Sequence, residues 1–207
     1  MCLAYTYPVY AYVRRSGHAP AIAQDIVRSF LGEMLSVFRT GQQPIPTEHF
    51  RRFLLARLNA FLAVDWRIPL DESVPTLPVV DLEPRYVRDF QHIASPDAAF
   101  QRGFALELLA RASRRLASEA RQTGHSDMLE LLMPYLVRDP APGVYDDIAR
   151  QLHTRTLSMV VALKRLRQRF RELVGRELAD TVTSATDLLT EQQTLYSIFQ
   201  TEPATRQ

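Results

Sequence analysis

An all-α fold is predicted for this chain: two small helical domains, the second with a helix-turn-helix, joined by an acidic, proline-containing linker. Three observations carry that prediction. Apolar residues recur at three- and four-residue spacing through every long segment, which is the helical period. No segment alternates apolar and polar residues between hairpin turn signals. Charge and proline divide the chain into blocks: residues 1–70 hold 8 Arg against 4 acids, residues 71–99 hold 2 Arg against 6 acids, and residues 100–180 hold 14 basic groups against 10 acids. With 207 residues, 46% of them hydrophobic and 23% charged, the chain can bury a core and need not be disordered.

The first block, residues 1–68, reads as one helical domain. Tyr7 through Arg15 is short and aromatic, and Gly17 and Pro20 punctuate the turn after it. From Ala21 onward Ile22, Ile26, Val27, Phe30, Leu31, Met34, Leu35 and Phe38 form one helical stripe. Gly41, Pro44 and Pro46 end it, and Thr47 is the expected N-cap of a helix carrying Phe50, Phe53, Leu54, Leu58, Phe61 and Leu62. Residues 69–96 form the linker, with Pro69, Pro75, Pro78, Pro84 and Pro96 among its acids. Val79, Val80, Tyr86, Val87 and Phe90 give it the means to dock onto either domain.

The second domain spans residues 97–183. Ser95 is the expected cap of its first helix, Pro96 suits the first helical position and Asp97 the first turn. Phe100, Phe104, Leu108, Leu109, Ala112, Leu116 and Ala120 make that helix amphipathic, and Gly124 stops it. A short helix from about Ser126 to Tyr135 follows, then one from Tyr145 to Leu152, then a long one from about Thr156 to about Thr183. Residues 184–207 are a tail with a short apolar segment and a polar end.

The stretch from Val144 to Leu173, VYDDIARQLHTRTLSMVVALKRLRQRFREL, is the most informative. A short helix burying Ile148, Ala149 and Leu152, a tight turn, and a helix whose Leu157, Met159, Leu163 and Leu166 close a small core give helix-turn-helix spacing. Lys164, Arg165, Arg167, Arg169 and Arg171 follow as positive charge. Thr154, Arg155 and Thr156 stand where a helix N-terminus attracts phosphate. An ordinary helical hairpin with a solvated arginine stripe has the same spacing, and both interpretations stand at this point.

From Val9 to about Val182 the chain resembles the small two-domain bacterial sigma factors of the extracytoplasmic-function type. YAYVRRSGHAPAIAQDIVRSFLGEML is similar to that family's opening helices, and FRRFLLARLNAFLAVDW to the helix that follows. SPDAAFQRGFALELLARA resembles the start of its carboxy-terminal domain, and YDDIARQLHTRTLSMVVALKRLRQRFRELVGREL its helix-turn-helix and the helix beyond. The resemblance implies a transcription initiation factor that binds core RNA polymerase and directs it to promoter DNA. Asp25, Ser29 and Phe30 then match the polymerase-contacting helix. Arg51, Arg52, Arg57, Trp66 and Arg67 match the promoter-melting segment, and Thr154, Arg155, Thr156, Val160, Lys164, Arg165 and Arg167 the duplex-reading module. An anti-sigma or kinase regulator is the further partner it implies.

The departures from that pattern are specific. Arg28 and Ser29 stand where the family has Gln-Glu, so phosphorylation of Ser29 would restore a lost negative charge. Val160 replaces a basic residue of the reading helix and His153 replaces the turn glycine. Valine can touch a thymine methyl but cannot donate to guanine. The alternative is a derived regulator or protein-interaction module that keeps the scaffold without reading promoters.

Catalysis is not expected, and neither is a cofactor or a metal. His18, His49, His92, His125 and His153 are not spaced as metal pairs on a helix, and no phosphate-cradling glycine loop or nucleophile elbow occurs. Cys2 is the only cysteine, which excludes an intrachain disulfide. No apolar run approaches the ~20 residues that span a bilayer, and no signal-peptide pattern opens the chain, so a cytoplasmic location is expected.

Overall fold

The computed structural model describes residues 5–39, 50–64, 82–90, 93 and 95–179. Among them are eight α-helices, short 3-10 turns and no strand. In chain order these are α1 (Thr6–Arg15), α2 (Pro20–Arg39), α3 (Phe50–Ala63), α4 (Glu83–Asp89), α5 (Pro96–Gln122), α6 (Ser126–Leu132), the 3-10 turn Met133–Tyr135, α7 (Val144–Gln151) and α8 (Thr156–Ala179). The all-helical expectation therefore holds for these residues. Thr47, the expected cap of α3, and residues 184–207 lie outside them. No helix among them is long and apolar enough to cross a membrane.

Packing divides the chain into two units, with residues up to Leu108 in the first and Leu109–Ala179 in the second. The division falls inside α5, whereas the sequence places the start of the second domain at residue 97.

In the first unit α1 is buried on every side, from Tyr7 through Val13, as a helix apolar all round must be. The stripe of α2 packs Ile26, Phe30, Leu31 and Met34 inward, and α3 adds Phe50, Leu54 and Leu58. The Tyr12 hydroxyl donates to Asn59 Oδ1 at 2.6 Å, tying α1 to α3. From α5, Gly103 comes so close to α1 that an added Cβ would meet the Pro8 Cα at 2.9 Å, which explains a glycine in mid-helix despite its poor propensity.

The acidic linker docks through α4. Tyr86 and Phe90 are buried, while Val87 is exposed and Val79 and Val80 lie outside the described residues. Arg14 grips Glu83 with two bonds, Nε to Oε2 at 2.8 Å and Nη2 to Oε1 at 2.7 Å. Tyr10 donates to the same carboxylate at 2.6 Å, and Tyr7 donates to Asp89 at 2.7 Å. The Arg85 guanidinium lies 3.7 Å over the Tyr7 ring and bonds Glu107 at 3.1 Å. Hydrogen bonding to Arg14 holds the Glu83 carboxyl below its usual range against the opposing effect of burial. Desolvation, then the bonds to Asp89 and Glu83, push the Tyr7 and Tyr10 hydroxyls well above theirs.

The second unit has two adjoining cores. One packs Ala112, Leu116 and Ala120 of α5 against Leu129, Phe170 and Leu173. The other packs Leu132, Ile148 and Ala149 against Met159 and Leu163 of α8. At the other end of α5, in the first unit, Ser95 caps the helix by accepting from the Ala98 N–H at 3.2 Å. Near the end of α8, Glu177 is buried between Arg111 and Arg115 of α5, at 3.1 and 2.5 Å, contacts that are ionic without hydrogen-bond alignment.

Candidate nucleic-acid interface

The site is built by α7 and α8. Gly143, with φ of +89°, precedes α7, and Asp146 and Asp147 occupy its first turn, where negative charge suits the helix dipole. Asp147 pairs with Arg150 on the same helix. Ile148 and Ala149 face Met159 and Leu163 in one core, so the two helices pack across the turn formed by residues 152–155. His153 sits in that turn at φ of +50°, the only non-glycine residue with positive φ among those described. Its N–H reaches Arg150 O at 3.2 Å and the Thr154 N–H reaches Ala149 O at 2.9 Å, a Schellman ending for α7. The Thr156 hydroxyl donates to Asp146 Oδ1 at 2.6 Å, fixing the start of α8 to the first turn of α7.

With Met159 and Leu163 inward, the opposite face of α8 meets solvent. Thr154, Arg155, Thr156, Val160, Lys164 and Arg165 are all exposed. The side chains of Arg155, Lys164 and Arg165 form no hydrogen bond or ion pair with another described residue, so three uncompensated cations lie along the exposed side of the helix, Arg155 just before its first turn and Lys164 and Arg165 more than two turns along it. The free amides at the start of α8 add a partial positive charge beside them.

Other sequence-derived site residues are placed differently. Arg167 is turned back into the fold: it donates to Tyr135 O at 3.0 Å, Arg138 O at 2.6 Å and Asp139 at 2.9 Å, which removes it from the solvent-facing set. Leu157, expected in the core, is 73% exposed. Two positions before Met159 it faces nearly the opposite way, because two residues turn a helix through about 200°. Arg169 is engaged by Glu119, at 2.8 and 2.5 Å, and by Glu172 at 3.1 Å. Those bonds raise the Arg169 guanidinium and lower the Glu119 carboxyl relative to their usual ranges.

In the first unit Arg51 is buried, its guanidinium 4.6 Å from the Phe104 ring centre and bonded to Gln101 at 2.6 Å. Burial pushes it down to about 10, still charged at neutral pH, and an enclosed guanidinium cannot reach a phosphate. Arg52 is exposed, and Arg57 pairs with Glu33 at 3.1 Å. Phe30, expected at a polymerase contact, is a core residue with its ring edge-on to Phe61 at 5.5 Å. Asp25 is exposed beside Arg28 at 3.6 Å, and Ser29 is half-buried. Trp66 and Arg67 lie outside the described residues.

Sequence reasoning missed Val161, which is exposed beside Val160 and Leu157. The signal was present: stepping by a helical period from Met159 and Leu163 leaves residues 157, 160 and 161 off the buried stripe. The structure thus brings together an apolar patch and three free cations, a surface able to meet both thymine methyls and phosphates. Among the described residues no cluster of three or more His, Cys, Asp or Glu could hold a metal. Comparison of the chain with protein-family models, with curated proteins and with solved structures finds no match.

Proposed function

We infer that the chain is a sigma-like transcription initiation factor, with α7 and α8 acting as a helix-turn-helix that meets duplex promoter DNA. One observation supports this most: α8 packs on α7 through Met159 and Leu163 while Arg155, just before it, and Lys164 and Arg165, on its outer face, are exposed with no side-chain partner among the described residues. The mechanism is electrostatic first. The cations and the helix N-terminus attract phosphates and set the register, and Leu157, Val160 and Val161 touch base edges in the major groove. Apolar contacts of that kind favour thymine-rich sites. The first unit supplies the contact to core polymerase, for which Asp25 remains an exposed candidate on α2.

Transcription with reconstituted holoenzyme on a genomic fragment library tests this reading. Discrete start sites that depend on the chain are the expected result; a chain that neither binds core polymerase nor alters its start sites contradicts it. A second reading, a protein-interaction module on the same scaffold, is favoured by the exposure of Leu157, Val160 and Val161 within one turn of helix.

A further inference from the structure

Beside the outward face of α8 runs an open trough floored by Met128 of α6 and by Leu157, Val161 and Leu166 of α8. Arg155, Arg165 and Arg169 stand along it, and none of the described residues that line it is a carboxylate. Arg169 is already neutralised by Glu119 and Glu172, but Arg155 and Arg165 have no side-chain partner among the described residues. A second hollow shares His125, Met128, Leu166 and Arg169 with the first and extends the apolar lining to Leu116 and Ala120 of α5; the carboxylate that lines it, Glu119, is the one bound by Arg169.

Two physical facts narrow the occupant. A trough this open to solvent cannot enclose a small molecule on most of its surface, as ligand pockets do. Apolar lining residues spaced along α8, Leu157, Val161 and Leu166, do match the stripe of an amphipathic helix laid lengthwise, with anchors at i, i+3, i+4 and i+7. The unpaired arginines then decide the flanks of that helix, because like charges beside them would be repelled and carboxylates attracted. We propose that this trough is a docking site for an acidic amphipathic helix of another protein. The site shares Leu157, Val161, Arg155 and Arg165 with the face assigned to DNA, but it does not depend on that assignment: the apolar lining and the two arginines left unpaired carry it independently.

The probe is a fluorescent synthetic helix of about four turns, with leucines along one stripe and glutamates elsewhere, compared with a scrambled peptide of the same composition. Binding to the full chain is followed by anisotropy. The designed peptide is expected to bind at least about tenfold more tightly than the scrambled one, since only it presents a continuous apolar stripe. Val161→Asp, at an exposed position where folding can be checked by circular dichroism, is expected to lose about tenfold or more. Arg155→Glu combined with Arg165→Glu is expected to reject the glutamate peptide and to accept its lysine counterpart. Lys164→Gln, which does not line the trough, leaves peptide binding unchanged while weakening duplex DNA, so failure here is distinguishable from failure of the DNA assignment. Equal affinity for designed and scrambled peptides, or an unaffected Val161→Asp variant, overturns the proposal. So does sedimentation of the wild-type chain as a dimer that Val161→Asp returns to monomer, which would assign the surface to a second copy.

Discussion

Thr156 donates its hydroxyl to Asp146 at 2.6 Å, so the first residue of α8 is held by the first turn of α7 across the intervening turn. The bond fixes the angle at which the outward face of α8 is presented. It also uses the hydroxyl that sequence reasoning assigned to a phosphate.

Removing that bond should cost little stability, because both groups are exposed. Asp146→Ala and Thr156→Val are each expected to lower unfolding free energy by about 0.5–1 kcal/mol, and a double-mutant cycle should return a coupling of about 0.5 kcal/mol. Denaturant titration measures this. Strict additivity would show that the two side chains do not interact in solution.

His153 and Gly124 do the same job in two places. At Gly124, φ is +71°, with N–H bonds from Gly124 to Arg121 O at 3.3 Å and from His125 to Ala120 O at 2.8 Å. The turn at His153 repeats that pattern without the glycine. A left-handed conformation costs a side chain about 1–2 kcal/mol, and the greater freedom of unfolded glycine offsets about 0.5–1 kcal/mol of any gain. His153→Gly is therefore expected to stabilise the second unit by roughly 0.5–1 kcal/mol, and Gly124→Ala to destabilise it by about 1 kcal/mol. Thermal or denaturant unfolding checks both, and a destabilising His153→Gly would contradict the motif.

The clamp between α1 and α4 should be sensitive to acid. Glu83 is held below the usual carboxylate range in the folded chain, so the unfolded chain binds its proton more readily. Its contribution is full above the unfolded value of about 4.3 and is lost as pH falls through the folded one. Tyr7 and Tyr10 act in the opposite direction: their raised values keep the contribution full below about pH 10 and remove it as pH rises further. Stability measured against pH should therefore decline at both ends, and Glu83→Gln should flatten the acid limb. An acid limb unchanged in that variant would place the sensitive group elsewhere.

Much of the scaffold was legible because burial follows period. Phe100, Phe104, Leu108, Ala112, Leu116 and Ala120 are all buried on α5, as their spacing requires, and Ile148 and Leu163 share a core. The termini of α5 were legible from Ser95, Pro96 and Gly124 for reasons of capping chemistry. Arginine roles were not. Arg51, Arg52 and Arg57 look alike in sequence, yet one is buried over Phe104, one is exposed and one pairs with Glu33. Arg165 and Arg167 likewise differ only in that Arg167 finds the carbonyls of Tyr135 and Arg138. Whether a cation is free depends on which acceptors the fold brings near, and those lie far away in sequence. Leu157 shows the same limit, since the apolar pattern named it without fixing which side of its helix faces the core; for Phe30 the stripe of α2 already pointed inward, and only the resemblance pointed to a polymerase contact.

The salt dependence of duplex DNA binding by the full chain tests the central assignment most directly. If Arg155, Lys164 and Arg165 each neutralise a phosphate, replacing all three with Gln should weaken binding and reduce the slope of log K against log salt by roughly 2–3. A triple variant that binds duplex DNA with the wild-type affinity and the wild-type slope would show that the outer face of α8 does not meet nucleic acid.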